Sequence, residues 1–404
     1  MKKRANGEGT IYFDEKKQLY RAMLMTPAGK RMTKSSKDEI LVKDWLNEQR
    51  LLIGRNQHVE PSALTLYQWL VTFVENYAKP KVRQRTYERY ESLIYHTEML
   101  GNIPIQKITP IHLQTLYNSM LEIGFSGETT KKVHQLINAA FHRAQINKYI
   151  QSNPAELVDT PKVIRKEIEI FNKNEVELLL DQAKTSKYYP FLLLAFTSGM
   201  RLGELLGLRW QDIDMTNNQV SVNQSLQNTN KIGIIFEPPK TKNSKRKITI
   251  PLQTITALKE HKKEWSKSKL KNPDALYPDL VFVTSKHTPL LPQNFLKRFW
   301  KRVQIDVEFK MNKFEAKPMS VKQTVDDILS ACRKRKDWQQ LTHRNFHVIR
   351  HTYATTLLAA GVPIIDVSRS LGHARVSTTL DIYGHAIPEN KQVIADEIAN
   401  AFLK

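Results

Sequence analysis

Six polar side chains, in a fixed order along the chain, have types that suit phosphate chemistry. Arg201 lies in Thr197-Ser198-Gly199-Met200-Arg201-Leu202-Gly203-Glu204, and Lys240 in Pro239-Lys240-Thr241-Lys242. His347 and Arg350 share His347-Val348-Ile349-Arg350-His351-Thr352, His373 follows Leu371-Gly372, and Tyr383 stands in Thr378-Thr379-Leu380-Asp381-Ile382-Tyr383-Gly384-His385. Guanidinium forks grip phosphate oxygens through paired hydrogen bonds. A tyrosine hydroxyl can attack phosphorus covalently, and a lysine can protonate a departing alkoxide. Together these groups could cut a phosphodiester without a metal.

Each motif alone has a plainer reading. Arg201 and Glu204 are three apart, the spacing of an ordinary surface ion pair, although the apolar run Phe191–Phe196 just upstream and Gly199 would aim the arginine out of a buried helix end. Pro238–Lys247 reads as a solvated basic hairpin, in which Lys242 competes with Lys240; the Pro-Lys-Thr context favours Lys240. His347 and His351 have the spacing of a metal pair, but an arginine between them repels a cation and no HExxH-like glutamate is present, so no metal is expected. Helical geometry leaves His351 open as an alternative to His347. A tyrosine on an amphipathic helix is usually core, yet a cap at Ser377-Thr378-Thr379 would bring Tyr383 beside His373. Cys332 sits among Arg333, Lys334, Arg335 and Lys336, which would favour a thiolate; the simpler reading is an incidental helix residue.

The elements that must position these groups belong to a chain of 404 residues, long enough for two or three domains. Its hydrophobic fraction of 41% is ordinary for a globular protein, but its formal net charge of +22 is not. Lysines and arginines run through the whole length, as in a protein that meets a polyanion with several domains. A single cysteine precludes an intrachain disulfide and suits a reducing compartment. The basic start lacks the apolar core of a signal peptide, and Phe191–Phe196 is far too short to span a bilayer, so a cytoplasmic protein without membrane contact is expected.

Residues 1–60 read as a small sheet followed by a helix: strands over Thr10–Phe13, Gln18–Met25 and Lys30–Lys34, then a helix from Lys37 to about Leu52 capped by Ser36. Tyr12, Tyr20, Arg21, Lys30, Arg31 and Lys34 are expected on a face that could enter a DNA groove. Residues 61–158 read as almost wholly helical, with a basic turn holding Lys79, Lys81, Arg83 and Arg85, and a last helix, Gly127–Ile150, holding Lys131, Lys132 and Arg143. DNA binding here requires the turn and that helix to share one surface. Residues 159–171 read as a linker, and 172–404 as one mixed α+β domain, opened by an Asn172–Glu175 capping box. Its sheet is expected from Gln219–Ser225, Ile232–Glu237 and Lys247–Ile250, with His347 and Arg350 on a helix closed by Gly361.

With these motifs in this order, the chain resembles the tyrosine recombinase (phage integrase) family over its full length. The resemblance implies an arm-site DNA-binding sheet, a SAM-like helical core-binding domain and a catalytic domain of the tyrosine recombinase type. It implies an integrase that forms a 3′-phosphotyrosine through Tyr383, needs neither cofactor nor ATP, and integrates and excises a mobile element such as a phage or conjugative transposon. Arg201 and Arg350 would hold the phosphate, Lys240 protonate the 5′-oxygen, His347 act as base or at least hydrogen-bond partner for the tyrosine, and His373 donate to a phosphate oxygen. Two duplexes imply a homotetramer on double-stranded DNA attachment sites, with room for an excisionase and a DNA-bending protein as partners. The chain departs from the pattern in extra sequence from Lys310 to Asn345 and in a His373–Tyr383 spacing one residue looser than in the tightest members. The segment Glu389–Leu403 is apolar on one face, fit to dock on a neighbouring subunit or to close its own domain.

Overall fold

The computed structural model describes residues 8–55, 57–163, 168–240, 244–274, 276–277, 279–314 and 324–384. Lys242, the Glu389–Leu403 segment and the centre of the expected linker lie outside the described residues. The chain divides into two units, Met1–Arg165 and Lys166–Lys404.

The first unit opens with an antiparallel sheet of β1 (Thr10–Asp14), β2 (Leu19–Met25) and β3 (Arg31–Ser36), in that order. Helix α1 (Glu39–Gly54) covers one face, and Ala22, Leu24, Val42 and Leu46 form the core between them. Asp38, rather than Ser36, caps α1: its carboxylate accepts the Ile40 N–H at 2.8 Å, and Ser36 is the last residue of β3. Register corrects the expected DNA-facing surface. Tyr20 alternates with Ala22 and Leu24 onto the helix side, packs on that core and meets the Phe13 ring at 4.9 Å. Lys34, paired with Ala22, lies on the same side, whereas Tyr12, Arg21 and Arg31 share the open face.

Four helices follow: α2 (Leu66–Phe73), which runs into a π turn, Val74–Ala78; α3 (Gln84–Tyr95); α4 (Pro110–Glu122); and α5 (Gly127–Ile146). They close around Trp69, Tyr117, Ile137 and Phe141, with the Trp69 indole N–H donated to the Ala140 carbonyl at 2.9 Å. Helix α5 ends earlier than expected, because Lys148 takes a left-handed φ of 59°.

The second unit begins with α6 (Lys173–Ala183), where the Asn172–Glu175 capping box is present as expected. Then come α7 (Tyr189–Ser198), α8 (Leu202–Leu206), β4 (Ile213–Asp214), β5 (Gln219–Val222), β6 (Ser225–Thr229), β7 (Gly233–Glu237), β8 (Arg246–Thr249) and α9 (Leu252–Leu270). Helix α10 (Pro292–Phe295) passes through a π turn into α11 (Lys301–Met311), followed by α12 (Val325–Cys332), α13 (Val348–Ala359), α14 (Ile364–Leu371) and α15 (Val376–Tyr383). The single expected sheet is two: β4-β5-β8 and the hairpin β6-β7. The expected strand Gln219–Ser225 breaks because the side-chain amides of Asn223 and Gln224 turn away to Asp212 and the Gly207 carbonyl, each at 2.8 Å.

The described part of the extra segment is a satellite of the main core. Ile305 and Phe309 of α11 pack on Ile328, Leu329 and Cys332 of α12. At its centre Glu308 is 0% exposed. Its carboxylate accepts both N–H arms of Arg333 at 2.8 and 2.6 Å and the Trp338 indole N–H at 2.8 Å, with His343 Nε2 at 3.0 Å. Cys332 is buried, and that burial pushes its thiol pKa up despite Arg335, which removes the case for a reactive thiolate.

Candidate active site

Helix α7 is buried along Phe191, Leu192, Leu194 and Ala195 and stops at Gly199, whose φ is 59°. A Cβ there would stand 2.4 Å from the Tyr353 ring, so both the turn and the packing call for glycine. Just beyond, Arg201 sits at the N-terminus of α8. Its guanidinium donates to Glu204 at 2.9 Å while its side chain stays 41% exposed, anchored at one edge and open at the other.

Glu204 is buried and receives a second guanidinium, Arg246 of β8, at 2.8 and 3.2 Å. Burial opposes ionisation of this carboxyl, but Arg246 and Arg201 outweigh it and hold the pKa down at about 2. Arg246 also donates to the Ser370 carbonyl at 2.6 Å, tying β8 to α14. By composition Arg246 belongs to the basic run Pro238–Lys247. The signal that could have found it is strand alternation: Arg246 lies two residues from Ile248 and faces inward with it.

Arg350, on α13, is 2% exposed. It donates to the Gly199 carbonyl at 2.9 Å and to the Leu371 carbonyl at 2.6 Å, and so clamps the turns that carry Arg201 and His373. Burial and the Arg201 charge push its pKa down to about 9, which leaves it cationic at neutral pH.

The histidines beside these cations are neutral. Burial, then the charges of His351, Arg350 and Arg201, push His347 down to about 4. His373 is likewise pushed to about 4, by burial and then by Arg350, Arg201, Arg246 and His347. Its Nδ1 meets the Thr379 hydroxyl at 2.8 Å. The expected cap at Ser377–Thr379 is corrected: α15 begins at Val376 with Arg375 as its N-cap, and Thr379 is an interior residue that fixes the His373 ring.

Tyr383 is 1% exposed and packs against Ala354, Leu358, Val367 and Leu371. Its hydroxyl meets Nδ1 of His351 at 2.7 Å, not His347. Burial pushes the phenol pKa up, and Arg350 and Arg201 pull it back. The structure thus gathers Arg201, His347, Arg350, His373 and Tyr383, and adds Arg246 and His351. Lys240 is exposed just past β7, and among the described residues no hydrogen bond or ion pair joins it to the cluster. No group of three His, Cys, Asp or Glu side chains is placed to hold a metal among the described residues, and no described helix is long and apolar enough to cross a membrane.

In the first unit, Lys81, Arg89, Lys132, His142 and Arg143 line one groove of about 460 Å3 together with Tyr77 and Tyr90, so the basic turn and α5 do share a surface. Arg143 stacks 4.3 Å from the Tyr77 ring centre. Lys79 pairs with Glu75, and Lys132 with Glu128. Arg83 is the N-cap of α3, Arg85 and Lys131 are exposed, and Lys30 precedes β3 in an exposed turn.

Residues 169–390 match the model of the phage integrase family, and residues 65–121 match that of the phage integrase N-terminal SAM-like domain. A tyrosine recombinase XerC-like protein of Caldanaerobacter subterraneus subsp. tengcongensis is 30% identical over 356 residues, 84% of this chain and 82% of that one. The transposase from transposon Tn916 of Enterococcus faecalis is 26% identical over 371 residues, 89% of this chain and 82% of the relative. Among solved structures, the Tn1549 transposon integrase in complex with transposon right end DNA superposes with a TM-score of 0.65 at 20% identity, over 83% of this chain and 99% of that one. A lambda integrase tetramer bound to a Holliday junction gives 0.55 at 16% identity, over 96% and 98%. These two likenesses speak to the fold.

Proposed function

From the premise that the chain belongs to the phage integrase family and is a tyrosine-type site-specific recombinase that breaks and rejoins DNA, we propose that Tyr383 is its nucleophile and that Arg201, Lys240, His347, Arg350 and His373 complete its catalytic set. Tyr383 attacks the scissile phosphate, giving a 3′-phosphotyrosine and a free 5′-hydroxyl. Arg201 and Arg350 hold the non-bridging oxygens and offset charge that grows in the transition state. Lys240 protonates the leaving 5′-oxygen. In the proposed tautomer Nδ1 of His373 accepts from the Thr379 hydroxyl and the ring proton stands on Nε2, from which it is donated to the phosphate. A 5′-hydroxyl from a partner duplex then reverses the reaction, so the bond energy is kept and no ATP is needed.

The observation that carries this reading is the meeting at Tyr383: a buried phenol, an imidazole on its hydroxyl, and two guanidiniums acting on its ionisation. The open sheet face with Arg21 and Arg31, the Lys30 turn and the Lys81–Arg143 groove are the proposed DNA contacts. The likeness to mobile-element relatives supports integration and excision of such an element, and the lambda assembly supports a tetramer on its attachment sites. An excisionase and a bending protein are further proposed partners, and the cytoplasm the proposed compartment. A duplex carrying the junction that flanks the gene, nicked beside the cleavage site to trap the intermediate, tests the reading. Covalent protein–DNA adduct is expected with the intact chain and none with Tyr383→Phe. Strand exchange between two such duplexes separates recombination from relaxation of a single duplex.

A further inference from the structure

The family reading leaves one contact unused, the short one between His351 Nδ1 and the Tyr383 hydroxyl. We propose that His351 receives the phenolic proton of Tyr383 as the tyrosine attacks phosphorus, while His347 serves the phosphate. The inference rests on the reading of Tyr383 as nucleophile.

The contact is 2.7 Å long, and in the proposed tautomer the His351 proton stands on Nε2, so that Nδ1 accepts from the phenol hydroxyl. The His347 ring stands edge-to-face against His351 with centres 4.8 Å apart, and the His351 and Tyr383 rings are 5.5 Å apart, so His351 neighbours both rings. Two residues three and four positions along one helix thus divide the work: Arg350 reaches the turn carbonyls and His351 reaches α15. Among the described residues, the charged and titratable groups facing His351 are His347 and Arg350 on its own helix and Tyr383 on α15. Helix α7 carries no charged side chain, and on α14 Asp366 and Arg369 pair with each other at the surface. Burial, helped by the Arg350 charge, lowers the His351 pKa, so the ring is neutral and able to accept at pH 7.

The step balances. The bond from Oη of Tyr383 to phosphorus forms, the bond from phosphorus to O5′ breaks, the phenolic proton passes to Nδ1 of His351, and O5′ takes a proton from the proposed acid, Lys240. On rejoining, His351 returns its proton to the departing phenolate.

The test uses the full chain, the nicked junction duplex and the rate of adduct formation between pH 6 and 9. His351→Asn keeps an acceptor oxygen near the Nδ1 position but cannot carry a proton away; His351→Gln is the second variant should the first fail to bind the duplex. The expected result is adduct slowed about 100-fold or more at pH 7. Its logarithm should rise in proportion to pH, because hydroxide must now ionise a phenol whose pKa lies above the ordinary 10.0, while the intact chain stays level. Wild-type rates, or slower rates with a profile parallel to the intact chain, overturn the proposal. Adduct formation by Tyr383→Phe, or none by the intact chain, overturns instead the nucleophile reading on which it rests.

Discussion

Glu308 and Arg350 are both buried ions on helices of the second unit, yet their surroundings close differently. Around Glu308 one carboxylate meets Arg333, the Trp338 indole and His343, and its needs are met within the protein. Around Arg350, itself bonded to two peptide carbonyls, the guanidiniums of Arg201 and Arg246 share one carboxylate, Glu204, and the neighbouring histidines are held neutral. The first cluster is finished and acts as scaffold. The second carries surplus positive charge that a phosphodiester would complete.

That contrast breaks most sharply at Tyr383. Tyr383→Phe is expected to abolish adduct while duplex binding, read by gel shift, persists. Arg350→Lys keeps a charge but loses the fork, and adduct formation should fall by about 10²- to 10³-fold in a single-turnover assay. On the scaffold side, Glu308→Ala strands Arg333 and should cost about 3–5 kcal/mol in denaturant unfolding. If instead it slows the adduct and leaves stability untouched, the two clusters are not separate in role. Glu204 sharpens the comparison through pH. Its folded pKa of about 2 lies below the ordinary 4.5, so its contribution, on the order of 3 kcal/mol, is present above pH 4.5 and lost as pH falls towards 2. Glu204→Gln should flatten that acid limb of the stability curve. Thr379→Val only frees the His373 ring and should slow adduct formation several-fold with little change in melting temperature.

Much of this was legible in the sequence where a motif is complete within one or two turns. The Asn172–Glu175 cap, the Gly199 turn and the Arg201–Glu204 pair are local and emerged as expected. The partner of Tyr383 was not, because it depends on how α15 lies against α13, and helical spacing alone left His347 and His351 equivalent. Arg246 was hidden in a run of cations, and the core around Glu308 needed residues from α11, α12 and the following loop to meet. Tyr20 is a different matter. Adjacent strand residues point to opposite faces, so Tyr20 and Arg21 could never have shared one.

Arg350 grips its two turns through peptide oxygens, which every residue type supplies. At Leu371 the grip is therefore indifferent to the side chain, and mutational drift there is judged by the apolar packing around Tyr383 alone. At Gly199 the same indifference is cancelled by the ring of Tyr353. A library randomised at both positions should accept several apolar residues at the first and return almost only glycine at the second.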